Sequence, residues 1–113
     1  MENKMIIIRG TTNTIDISIS AENGDPYVLN ADEKVVFGIK KFPNDKKVIF
    51  AKVAEVVEAG VFRVTLDPED TQDLNIGWYY CDAGIDDGVN FFNAVKPRLF
   101  ELSMNVTYRG CAD

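Results

Sequence analysis

A chain of 113 residues is the length of one domain, and its 46% hydrophobic and 11% aromatic content is that of a folded protein, which excludes disorder and a second core. Twelve basic against eighteen acidic residues leave a net charge of −6 and a pI near 4.6. That balance repels phosphate backbones and argues against a nucleic-acid partner.

The chain reads as strands from end to end. Met5 to Arg9 is a β-branched run closed by Gly10-Thr11-Thr12. At four apolar residues, Met5-Ile6-Ile7-Ile8 is far shorter than a signal-peptide core, and no stretch approaches the roughly 20 apolar residues of a membrane span. The expectation is therefore cytoplasmic synthesis without a signal peptide, and no membrane partner. Residues 13–20 alternate strictly, with Ile15, Ile17 and Ile19 on one side and Asp16, Ser18 and Ser20 on the other, the pattern of a strand with one buried face. Asn23-Gly24-Asp25-Pro26 supplies a turn, and Tyr27-Val28-Leu29 reads as a connector that tucks Leu29 under the sheets.

Residues 34–41 alternate again through Val35, Phe37 and Ile39. The lysines 40, 41, 46 and 47 that follow read as a solvated loop beside an edge strand. Lys47 to Val57 predicts one long strand whose alternation changes phase near Ala51-Lys52, as at a bulge. Glu58-Ala59-Gly60 turns into Val61–Leu66, with Phe62, Val64 and Leu66 on one face. Asp67-Pro68-Glu69-Asp70-Thr71 is the one helix signal, with an acid at the cap and proline at the first helical position. Gly77 to Ile85 predicts a strand with Tyr79, Cys81, Ala83 and Ile85 on its apolar face. Asp86-Asp87-Gly88 turns into Val89–Val95, and after Lys96-Pro97 the run from Leu99 to Tyr108 alternates through Leu102, Met104 and Val106. Seven to eight short antiparallel strands with turn residues between them, plus one helical turn near 67–73, predict a single all-β domain over residues 1–113, a sandwich or a barrel.

Chemistry is sparse. With no histidine, Ser-His-Asp and Cys-His machinery and the commonest metal ligand are excluded. The acidic pairs Asp32-Glu33, Glu69-Asp70 and Asp86-Asp87 all fall in turns or at a helix start, where local hydrogen bonds explain them. Asp82, Asp86 and Asp87 are a candidate calcium set, but their spacing lacks the acid ladder of a calcium loop. Cys81 and Cys111 do not form a metal-type pair and read as thiols. The expectation is no catalytic residue, no cofactor and no resident metal. The residues left to act are aromatic: Trp78 and Tyr80 on one predicted strand, Phe91 and Phe92 on the next, form the candidate interaction patch. A line of Trp78, Tyr80 and Phe92 in one exposed plane would instead suit a carbohydrate-binding or adhesin module.

Several motifs in order resemble a known family. Ile8-Arg9-Gly10-Thr11, Gly24-Asp25-Pro26-Tyr27-Val28-Leu29, Leu66-Asp67-Pro68-Glu69-Asp70-Thr71 and Gly77-Trp78-Tyr79-Tyr80-Cys81-Asp82 are similar to the immunoglobulin-like N-terminal domain of phage baseplate upper proteins and related small prophage tail proteins. Thr11 or Thr12 stands where that family often has Asp, and Cys81 where it has Tyr. The resemblance implies an all-β, immunoglobulin-like β-sandwich and a non-enzymatic virion or tail component that docks onto other tail proteins, or onto its own copies as a homo-oligomer.

Overall fold

A computed structural model describes residues 5–104. Eight strands and one helical turn follow in chain order: β1 (Met5–Ile8), β2 (Asn13–Ser18), β3 (Lys34–Lys40), β4 (Phe50–Val53), β5 (Glu55–Glu58), β6 (Val61–Leu66), α1 (Pro68–Thr71), β7 (Gly77–Asp86) and β8 (Phe91–Ser103). They form a five-stranded sheet in the order β1-β8-β7-β3-β4 and a three-stranded sheet in the order β2-β6-β5. The two sheets pack face to face as a two-layer, all-β sandwich.

The alternation read from the sequence is what closes the sandwich. Ile17, Ile19, Phe62, Val64 and Leu66 from the small sheet meet Ile7, Val35, Phe37, Ile39, Tyr79, Cys81, Ala83, Ile85, Phe100 and Leu102 from the large one, all buried. Leu29 packs half-buried against this core, as the connector reading requires. Tyr79 adds a tyrosine corner: its hydroxyl donates to the carbonyl of Asn75 at 2.5 Å, two residues before Cys81, and so ties the start of β7 to the loop beneath it. Its ring also stacks on Phe100, with centroids 5.7 Å apart.

Helix α1 crosses between the sheets. The Asp70 carboxylate accepts the Asp67 N–H at 2.7 Å, and the hydroxyl of buried Thr71 accepts the Gly10 N–H at 2.8 Å, pinning α1 to the turn after β1. Lys52 of β4 spans the two sheets to reach Asp67 and Asp70. Burial works against its charge, but bonds from Asp70 and Asp67 outweigh it and hold its pKa above the ordinary lysine value.

Four expectations are corrected. Lys47–Val57 is not one bulged strand: β4 belongs to the large sheet and β5 to the small one, and the chain changes sheets at buried Ala54, whose N–H donates to Val35 O at 2.8 Å. The irregularity lies instead at Val56/Glu58. The strands are not all antiparallel, because β1 runs parallel to β8, Met5 beside Phe100 through Ile8 beside Ser103. Lys96-Pro97 does not end a strand: β8 continues through it, and two register shifts against β7 absorb the extra residues, as proline in a strand requires. Finally, Met104 lies beyond β8 and is exposed, whereas Leu102 is buried; Val106 and Tyr108 lie outside the described residues.

Candidate functional site

The candidate patch divides in two. Trp78 pairs with Glu101 and Tyr80 with Leu99 at one end of β7, whereas Phe91 pairs with Asp86 and Phe92 with Ile85 at the other. Residues opposite each other in a ladder share a face. Trp78, Tyr80 and Phe91 therefore point away from the core, while Phe92 lies on the core side with Ile85, beyond the reach of the smaller sheet. Trp78 and Phe91 sit about 26 Å apart along the ribbon, at about 3.3 Å per residue. The four do not form one plane, and Phe92 does not extend a stacking row from Trp78 and Tyr80.

What the structure does assemble is the outer face of the large sheet. Cross-strand rows run Ile6–Glu101–Trp78 and Leu99–Tyr80–Lys40, with Ile6 51% exposed, Trp78 45% and Leu99 43%. Farther along the same face Val36 pairs with Val53, and Phe91 lies over Gly84, where a Cβ would come within 2.3 Å of its ring. Ile6, Leu99 and Val53 escaped the sequence reading because each sits at the outward phase of a strand whose partners are far away in the chain. Their apolar character at outward positions was the available signal.

The carboxylates of Asp82, Asp86 and Asp87 do not converge. Asp82 accepts from Asn93 at 3.0 Å and Asp86 accepts from the Gly88 N–H at 2.8 Å; along β7 the two acids are about 13 Å apart. Asp87 closes the hairpin by accepting the Val89 and Asn90 N–H groups, which hold its carboxyl below the usual aspartate range. Among the described residues no three His, Cys, Asp or Glu side chains gather into a metal site. The lysine loop is locally engaged: Lys40 donates to Asp45 O at 2.6 Å and Lys41 to Trp78 O at 2.7 Å.

A cleft of about 190 Å³ opens at the side of the sandwich, between β2 and β8, walled by Met5, Ile15, Ile17, Phe37, Ala83 and Val95, with Cys81 in its lining and Asp16, Ser18, Asp82 and Arg98 among its polar residues. Cys81 is a free thiol, and Cys111 lies outside the described residues. Burial pushes the Cys81 thiol up from 9.0 to about 11, with Arg98 pulling down and Asp82 pushing up. A raised thiol pKa stabilises the fold fully below pH 9.0 and loses that contribution as pH rises through about 11. The Cys81-dependent loss across this window is about 2–3 kcal/mol. Urea titrations at pH 8 and pH 11 should therefore show a steeper decline for the wild-type chain than for Cys81→Ala; parallel declines would remove the thiol as the cause.

The chain matches no protein-family model and no curated protein. Fold and surface define an all-β sandwich whose large sheet carries exposed apolar residues on its outer face. Among the described residues no helix is long and apolar enough to cross a membrane.

Proposed function

We propose that this chain is a non-enzymatic docking domain, a component of a phage tail or baseplate assembly that attaches to neighbouring tail proteins through the outer face of its large sheet. The observation that carries the docking role is the exposure of Ile6, Trp78 and Leu99 in two cross-strand rows of the same sheet face. An exposed tryptophan with aliphatic neighbours is the kind of anchor protein interfaces use, here with Glu101 lying between Ile6 and Trp78. The assembly is inferred from the ordered motifs at Arg9-Gly10-Thr11, Pro68-Glu69-Asp70-Thr71 and Gly77–Asp82.

Expressed with its native gene neighbourhood, the chain is expected to co-sediment with assembled tails. The double variant Trp78→Ala/Leu99→Asp changes side chains outside the core, so it keeps the fold. Loss of a central anchor costs about 2 kcal/mol or more, so the apparent Kd for the particle should rise roughly thirtyfold. A wild-type chain found wholly outside the particles would sink the assembly reading. Unchanged attachment of the double variant would sink the face.

A further inference from the structure

The unmatched feature of the fold is the free edge of β2. Among the described residues β2 pairs with β6 alone. Sheet edges ordinarily carry a device against further pairing, and the other edges here do. β4 is four residues long and turns Lys52 toward Asp67 and Asp70. β5 is irregular and has an acid at each end, β1 is four residues long, and β8 beyond the reach of β1 is bulged and contains Pro97. β2 is six regular residues with no proline, lysine or register shift, and its one charge, Asp16, is paired with Arg63 of the neighbouring strand. Beneath it lies the side cleft, with Ile15 and Ile17 on one wall and Ala83 and Val95 on the other. A strand added here meets backbone groups along β2 and an apolar cleft for every second side chain, the two elements of strand-addition recognition.

The charges state what that strand carries. Across the outer face of the small sheet, Glu55 is opposite Arg63 and Arg63 is opposite Asp16, with Arg63 Nε donating to Asp16 Oδ1 at 2.8 Å. The row alternates in sign and ends on an acid at the free edge, so opposite-charge pairing places a cation next. A second copy fits less well: of the two same-face, two-fold registers of greatest overlap, one sets Asp16 against Asp16 and the other sets Asp16 against Thr14, so neither brings a cation to Asp16, and each chain carries a net charge of −6. The other side of β2 already shows the matching pattern, since Phe62-Arg63-Val64 of β6 lies opposite Ile17-Asp16-Ile15. We propose that β2 accepts an extended, antiparallel strand from a partner protein, with Lys or Arg opposite Asp16 and an apolar residue on each side seated in the cleft.

This edge is separate from the outer face of the large sheet, so failure of either reading leaves the other standing. The probe is a capped, fluorescent peptide with the sequence of residues 61–66, Val-Phe-Arg-Val-Thr-Leu, titrated into the full chain and read by anisotropy. Saturable binding is expected, weakened at least tenfold when the peptide's arginine is replaced by glutamate, with amide shifts centred on Asn13–Ser18. Absence of binding at millimolar peptide, equal binding of the two peptides, or shifts centred on Trp78 and Leu99 instead would each overturn the proposal.

Discussion

Phe62→Ala is expected to remove about 3–5 kcal/mol of folding stability, the range for deleting a buried phenylalanine side chain and leaving its cavity behind. Phe62 is 1% exposed and sits in the middle of the smaller sheet, between Ile17 of β2 and Val56 of β5. Two narrow sheets share this core, and a three-stranded layer has little with which to collapse into the vacancy. Domains of this size hold roughly 5–15 kcal/mol in all, so the variant should melt on the order of 15 °C lower. The contrast is its own cross-strand neighbour. Val56 is 62% exposed, and Val56→Ala should cost less than about 0.5 kcal/mol. Paired chemical melts measure both. Similar losses from the two substitutions would mean that the small sheet is not packed as described.

The second large effect is at Gly60. Its φ is +76°, and a Cβ there would come within 2.8 Å of Pro26 Cβ and 3.0 Å of Ile19 O. The β5–β6 turn, the end of β2 and the loop carrying Pro26 all meet at this point, held by Ile19 N–H donating to Gly60 O at 2.8 Å and Tyr27 N–H donating to Ile19 O at 3.0 Å. Gly60→Ala therefore combines left-handed strain of about 1–2 kcal/mol with overpacking of about 1–3 kcal/mol. Gly24 separates the two costs: φ is +90°, but nothing lies within 4 Å of its Cβ position. Gly24→Ala should show only the backbone component, about 1 kcal/mol. Equal destabilisation at both sites would show that the contact with Pro26 carries no weight.

Much of the architecture was legible because it is local. The alternation of Ile15, Ile17 and Ile19, of Val35, Phe37 and Ile39, and of Phe62, Val64 and Leu66 states which face of each strand is buried, and all nine are buried or pack against the core. Asp67-Pro68 marked the helical turn for equally local reasons. The misread features depend on partners distant in sequence. A phase change near Ala51-Lys52 looks the same whether a strand bulges or leaves for the other sheet, and only the Ala54–Val35 bond distinguishes them. The parallel pairing of β1 leaves no mark within β1. For the candidate patch, Trp78 and Tyr80 could be placed outward from Tyr79 and Cys81 alone. Phe91 and Phe92 could not, because two register shifts in β8 intervene between them and the Leu99–Tyr80 pair. The tyrosine corner was readable in principle from a tyrosine two positions ahead of Cys81.

The β1–β8 pair also has a consequence during synthesis. Met5 pairs with Phe100, so among the described residues the first strand, β1, can be placed only once β8 has been made. Contacts that span nearly the whole sequence carry a large closure entropy and slow the search. Until they form, three consecutive isoleucines, Ile6 to Ile8, remain available to chaperones or to misassembly. Closure of the large sheet is thus timed by the appearance of β8.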